Sequence, residues 1–149
     1  MKIWFDMDGT LNRFYEVDNW LTYLINGDPY PYLAAKPSIN MNILARYLNK
    51  LISKGYEIGI ISWLSKTSTP EYDEKVIEAK LQWLNKHLHS VNFTNIHIVS
   101  YGTNKYEVCK EGILFDDEDK NRMTWKDKSY APDMIIDILK QLLSDEEGR

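Results

Sequence analysis

A short apolar segment near the amino terminus ends at two acidic residues, and this arrangement strongly limits how the chain folds. Ile3, Trp4 and Phe5 form a strand-like run, and Asp6 and Asp8 follow in the order Asp-Met-Asp-Gly-Thr-Leu. Side chains alternate faces along a strand, but a turn directly after Asp6 lets both carboxylates approach one point. Two carboxylates at one point repel each other, and a hard cation such as Mg²⁺ relieves that repulsion and attracts phosphate. The segment therefore predicts a strand whose carboxyl end binds a cation.

Two further apolar runs also end at polar residues. Ser62 ends one run and Asp116-Asp117 ends another, while Lys105 lies between them in a Gly-Thr-Asn-Lys segment. Open α/β sheets bind ligands at the carboxyl ends of their strands. We therefore expect these polar groups to meet the first acidic pair at one edge of a sheet.

Segments with a helical period separate the apolar runs, which is typical of α/β domains. Apolar residues recur at three- and four-residue steps over 41–52, 77–88 and 134–143. The segment 144–149 is expected to form a polar tail after the last helix. Strands are expected near residues 2–6, 57–62, 96–100 and 112–116.

These elements predict one domain over residues 1–149, an α/β fold with a three-layer, Rossmann-like parallel sheet and helices on both faces. Residues 12–36 lie between the first acidic pair and the first long helix. About 25 residues are too few to build an independent core. The segment is therefore predicted to be a minimal cap or lid insert, which we call the insert.

Composition excludes several other classes of protein. The chain has 149 residues, of which 44% are hydrophobic, so it is not a disordered chain. Its formal net charge of −4 argues against binding to a nucleic-acid backbone. Cys109 is the one cysteine, so no intramolecular disulfide forms and a reducing compartment is expected. No apolar stretch approaches the roughly 20 residues of a membrane span, and a cytoplasmic location without membrane association is predicted.

The run Phe5-Asp6-Met7-Asp8-Gly9-Thr10-Leu11 resembles the first motif of the haloacid dehalogenase-like (HAD) phosphohydrolase superfamily. Ser62, Lys105 and the pair Asp116-Asp117 are similar, in the same order, to its second, third and fourth motifs. The small insert makes the chain similar to small-cap members, among them deoxyribonucleotidase-like proteins. The resemblance covers residues 1 to about 125 and implies a Mg²⁺-dependent phosphatase.

The resemblance also implies roles for the acidic residues. Asp6 would be the nucleophile that forms an aspartyl-phosphate, and Asp8 would be the general acid and base. Mg²⁺ would be held by Asp6, by the backbone carbonyl of Asp8 and by Asp116. Asp117 would be a second ligand from the last motif or would support Asp116. Mn²⁺ stays open as an alternative because oxygen ligands accept several small divalent ions.

The remaining matched residues would bind the phosphate or the substrate. Ser62 would hydrogen-bond a phosphoryl oxygen, and Lys105 would stabilise charge on the phosphoryl group and on Asp6. Gly9 and Thr10 in the turn are assigned to the same phosphate-binding group. Trp63, directly after Ser62, would border the substrate pocket.

The insert is rich in aromatic residues: Phe14, Tyr15, Trp20, Tyr23, Tyr30 and Tyr32. These rings would stack on a base or another flat leaving group, which makes a nucleotide the leading small phosphorylated substrate. The alternative is that they pack on the protein itself or on a second subunit of a homo-oligomer.

Two other functions remain open from the sequence. A receiver-like regulatory domain also gathers acids, a hydroxyl residue and a lysine around Mg²⁺, but its phosphorylated Asp follows a later strand. The order of motifs in this chain therefore favours the phosphohydrolase. A catalytically silent scaffold that binds phosphate or Mg²⁺ is the second alternative.

Overall fold

The computed structural model describes residues 1–148, and its centre is a five-stranded sheet in which every pair of neighbours is parallel. The strands are β1 (Lys2–Phe5), β2 (Glu57–Trp63), β3 (Asn95–Val99), β4 (Ile113–Phe115) and β5 (Ser129–Tyr130). Their order across the sheet is β3-β2-β1-β4-β5. The four predicted strands are correct to within one residue at each end. β5 was not predicted, because two residues are too few to show a period.

Seven helices surround the sheet in the described part of the chain. They are α1 (Trp20–Ile25), α2 (Tyr30–Ala34), α3 (Met41–Ser53), α4 (Pro70–His87), α5 (Lys105–Cys109), α6 (Asp119–Thr124) and α7 (Ile135–Glu147). Among residues 1–148, none of these helices has the length and apolar content needed to cross a bilayer.

Local signals fix where the long helices begin. The side chain of Asn40 accepts a hydrogen bond from the backbone N–H of Ile43 at 3.1 Å and caps α3. Thr69 caps α4 in the same way, and Pro70 occupies the first position, where no N–H is needed.

The prediction that residues 144–149 form a polar tail after the last helix was wrong for residues 144–147. Residues 144–147 continue α7, which ends at Glu147 with Gly148 as its C-cap, and only Arg149 lies outside the described residues. Polar residues such as Glu form helix readily on the solvent side, so loss of the apolar period did not mark a helix end.

Both faces of the sheet are covered. Ile3 and Phe5 belong to the larger core, which also holds buried leucines of α3 and α7. Trp4 points to the opposite face and packs with Cys109 and Trp125. This alternation along β1 gives the three layers that the sequence predicted.

The insert packs on α4. Phe14, Leu24 and Tyr32 form a small separate core with Tyr72 and Val76 of that helix. α1 and α2 therefore lie beside the carboxyl end of β2, on the edge of the sheet where β1 ends.

Candidate active site

Three carboxylates meet at the carboxyl end of β1. Asp6 follows β1 directly, and Asp116 and Asp117 follow β4, its neighbour in the sheet. One oxygen from each of the three lies within 4.8 Å of the others. Asp116 is fully buried and Asp6 nearly so. Because hard cations prefer carboxylate oxygens at this kind of spacing, the acidic cluster fits Mg²⁺.

The Gly-Thr turn holds these carboxylates from behind. Thr10 Oγ1 donates a hydrogen bond to Asp6 Oδ2 at 2.8 Å and accepts one from the Asp117 backbone N–H at 3.0 Å. Gly9 has a φ of +84°, and a side chain there would overlap the Asp117 carboxylate. Only glycine adopts this φ without strain and also leaves room for the Asp117 carboxylate. Gly9 and Thr10 do not line the cavity described below, whereas Asp6 and Asp117 do.

Lys105 is the cation of the acidic cluster. Its ammonium donates to Asp6 Oδ1 at 2.9 Å and to Asp116 Oδ2 at 2.6 Å, and the side chain is 1% exposed. The sequence placed this lysine in a loop, whereas it is the first residue of α5, which the Asn104 side chain caps. Asn121 Nδ2 also donates to Asp116 Oδ2, at 3.1 Å.

One ammonium among three acids leaves the cluster short of positive charge. Burial and the nearby Asp6 carboxylate raise the pKa of Asp116 to about 6 and that of Asp117 to about 8. Burial also opposes ionisation of Asp6, but the Lys105 ammonium holds the pKa of Asp6 below its ordinary value. The Lys105 ammonium therefore favours the anionic form of Asp6, whereas burial and the neighbouring acids favour the protonated form of Asp117.

Asp8 turns away from the acidic cluster toward a second lysine. The ammonium of Lys80 donates to Asp8 Oδ2 at 2.8 Å, to Ser62 Oγ at 2.6 Å and to the carbonyl of Trp63 at 2.7 Å. Burial, together with the Asp6 charge, raises the pKa of Asp8 despite this lysine. A carboxyl group with a raised pKa is suited to donating a proton.

Lys80 was missed by the sequence analysis. It is 1% exposed and lies four residues after Val76 and three before Trp83, on the buried face of α4. A lysine within an apolar stripe was the signal that could have identified it. No motif drew attention to it, because a lysine in a helix is usually solvated.

A cavity of about 300 Å³ lies above these groups. Asp6, Asp8, Asp116 and Asp117 line its base, and Lys66 is exposed at its edge. Its aromatic lining comprises Phe14, Tyr15, Trp20, Tyr32, Trp63 and Tyr101. Ser62 and Lys105 are buried beneath this lining. The structure therefore brings all the predicted site residues to one place, with the carboxylates nearest the cavity.

Some aromatic residues of the insert face the cavity, and others pack on the protein itself. Phe14 and Tyr32 are buried in the small core on α4, and both also reach the cavity. Tyr15 and Trp20 line the cavity, whereas Tyr23 and Tyr30 pair with each other away from it.

The sheet, the acidic cluster and the cavity define an α/β domain with a candidate ligand site at the carboxyl ends of its central strands. No protein-family model and no curated protein matches the chain. Among solved structures it is similar to a D,D-heptose 1,7-bisphosphate phosphatase from Burkholderia thailandensis, with 12% sequence identity and a TM-score of 0.54. The similarity covers 96% of this chain and 98% of that chain. This similarity confirms the predicted Rossmann-like α/β fold.

Mg²⁺ is expected to stabilise the protein more at about pH 9 than at about pH 6. The folded-state pKa values of Asp116 and Asp117 lie above the unfolded value, so the folded state binds more protons between about pH 4 and pH 8. The contribution of these two groups to the free energy of unfolding of the metal-free protein therefore falls as pH rises through that window. A Mg²⁺ ion at the acidic cluster would compete with the Asp117 proton, so we expect tighter binding once that proton has gone.

Thermal unfolding in EDTA and in Mg²⁺ across this pH range measures the effect. Asp117→Asn is expected to remove most of the pH dependence of the Mg²⁺ shift. A midpoint that Mg²⁺ leaves unchanged at every pH would show that the acidic cluster does not bind the cation.

Proposed function

We propose that this chain is a Mg²⁺-dependent phosphatase that hydrolyses a small phosphomonoester through an aspartyl-phosphate on Asp6. The observation that carries the proposal is the division of the site into two ion-paired groups at one cavity. Lys105 pairs with Asp6 and Asp116, and Lys80 pairs with Asp8. One acid is thereby kept as an anion able to attack, and another is kept apart from it as a proton donor.

The acidic cluster is the proposed cation site. Asp6, Asp116 and Asp117 would hold Mg²⁺, with the backbone carbonyl of Asp8 as a further ligand. When bound, the cation supplies neutralisation of the phosphate charge, which otherwise repels an anionic nucleophile. Lys105 donates to Asp6 Oδ1 and does not line the cavity.

The reaction needs two displacements at phosphorus. In the first, an Asp6 oxygen attacks phosphorus, the ester P–O bond breaks, and the leaving oxygen takes the proton of Asp8. In the second, the Asp8 carboxylate takes a proton from water while the water oxygen attacks phosphorus. The bond from phosphorus to Asp6 then breaks, which releases inorganic phosphate and restores both carboxyl groups.

The walls of the cavity favour a flat leaving group, and a nucleotide is the leading substrate. Trp20, Trp63 and Tyr101 present aromatic surface above the carboxylates. A ring stacked on such side chains gains about 1–3 kcal/mol. The volume of about 300 Å³ suits one ring system and a phosphate. The insert would serve as the lid over this substrate.

Phosphate release from a panel of substrates tests the proposal. Nucleoside monophosphates, sugar phosphates and p-nitrophenyl phosphate are compared in Mg²⁺ and in EDTA. We expect turnover only with Mg²⁺, and at least about tenfold higher kcat/KM for nucleoside monophosphates than for sugar phosphates. Tyr101→Ala should reduce this preference, and Tyr23→Ala, which changes a tyrosine of the insert outside the cavity, should not.

Other results would point to the two alternatives. A long-lived aspartyl-phosphate without turnover would indicate a receiver-like domain. No phosphorylation and no turnover on any substrate, with folded protein that binds Mg²⁺, would indicate a silent scaffold.

A further inference from the structure

We propose that Lys80 is a positioning residue that sets the direction of the Asp8 carboxylate, so that Asp8 faces the leaving group in the cavity instead of the acidic cluster. This inference rests on the proposed function. It concerns a residue that no motif of the sequence identified and that contacts neither the acidic cluster nor the open cavity.

The burial of Lys80 is fully compensated. An ammonium group has three N–H donors, and here each has one acceptor: Asp8, Ser62 and the Trp63 carbonyl. The ammonium also lies 5.1 Å from the centre of the Tyr32 ring, a distance typical of a cation–π contact. A buried charge that lost one acceptor would be left partly unpaired, so the geometry resists movement.

Two of the three acceptors belong to the central sheet. Ser62 and Trp63 are the last residues of β2, which is paired with both β1 and β3. Lys80 itself is held on α4, whose neighbouring side chains are buried. With two N–H groups engaged at the end of β2, the third is left to donate to Asp8 Oδ2.

The other oxygen of Asp8 is held by the turn. Asn12 Nδ2 lies 3.4 Å from Asp8 Oδ1, and Asn12 is itself buried. The carboxylate is therefore oriented from both sides while its side chain stays 15% exposed, and Asp8 lines the cavity. The aromatic side chains beside which the leaving group would bind line the same cavity as Asp8.

A purely structural role for Lys80 makes a different prediction. Replacing a buried ion pair's partner with an apolar residue would then change stability and leave the chemistry of the remaining groups alone. A positioning role predicts instead that loss of Lys80 impairs the step that needs the Asp8 proton. The two roles separate when two esters differ in how much their leaving oxygen needs that proton.

The test compares benzyl phosphate with p-nitrophenyl phosphate in Mg²⁺, using kcat/KM, which reports formation of the aspartyl-phosphate. A nitrophenolate leaves without protonation, whereas the benzyl alcohol oxygen needs the proton from Asp8. We expect Lys80→Met to lower kcat/KM for benzyl phosphate at least about a hundredfold, and for p-nitrophenyl phosphate less than about fivefold. Asp8→Asn should show the same selectivity, and Lys75→Met, an exposed lysine of the same helix, should change neither substrate.

Lys80→Gln is the second variant, in case Lys80→Met does not fold, and circular dichroism shows which of them keeps the fold. The double variant with Asp8→Asn should lose no more activity than Asp8→Asn alone, because Lys80 acts through Asp8. Equal losses on both substrates, or no loss on either, would overturn the role of Lys80 and leave the proposed function intact. A wild-type protein without Mg²⁺-dependent turnover on either ester would instead overturn the proposed function, and this inference with it.

Discussion

Asp6→Asn is expected to abolish phosphate release, with a loss of at least about a thousandfold in kcat. The amide is a poor nucleophile and cannot form the acyl-phosphate bond, while its size matches that of the carboxylate. Asp6 is the one acid of the cluster whose pKa is held below its ordinary value, by Lys105 against the effect of burial. The substitution therefore removes the anion that the site is built to maintain. Phosphate release and trapping of labelled phosphoenzyme measure the two consequences.

A matched control is available on the surface. Asp137→Asn makes the same chemical change at an exposed position of α7, far from the cavity, and should leave turnover unchanged. Thermal unfolding of both variants separates lost chemistry from lost fold. If Asp6→Asn kept wild-type turnover, a nucleophilic role for Asp6 would be wrong, and a water-mediated route would be needed.

Lys105→Met is expected to lower the free energy of unfolding in EDTA by about 3–5 kcal/mol. The substitution keeps most of the side-chain volume but leaves Asp6 and Asp116 buried without their shared cation. In the intact protein these carboxylates raise the pKa of Lys105 in spite of its burial, so the ammonium is charged. Denaturant unfolding with and without Mg²⁺ measures the loss, and Mg²⁺ should recover part of it, because the cation neutralises the same carboxylates.

The control for this prediction is Lys140→Met, which changes an exposed lysine of α7 and should alter stability by less than about 0.5 kcal/mol. A Lys105→Met protein as stable as the wild type in EDTA would mean that the carboxylates take up protons without cost. The ion pairs would then not be the force that holds the cluster together.

The sequence was most informative about the strands and about the polar residues at their carboxyl ends. The apolar runs predicted four of the five strands, because a buried parallel strand must be apolar and must end where polar groups reach solvent. Asp6, Ser62 and Asp116 all follow such runs, and parallel strands place their carboxyl ends at one edge. The meeting of these residues was therefore predictable from their order alone.

The two buried lysines of the site were harder to predict than the acids at the strand ends. Lys105 was found because it stands where the HAD-like order of motifs has a lysine, although its helix was not foreseen. Lys80 lies on a long helix, α4, and nothing local distinguishes its charge from that of a solvated lysine except its place on the buried face. Which acceptors it meets depends on how α4 packs against β2, and that packing is a property of the assembled fold.

The sequence by itself determined the class of fold, the place of the acidic residues at strand ends and the likeness to HAD motifs, since these depend on residue order and on short-range periodicity. The tertiary structure alone decided that Asp8 turns from the acidic cluster toward Lys80. It also decided that Thr10 supports carboxylates from behind, and that rings of the insert both pack on α4 and line the cavity. Each of these depends on contacts between residues far apart in the chain, whose directions are set only when helices, turns and sheet are packed together.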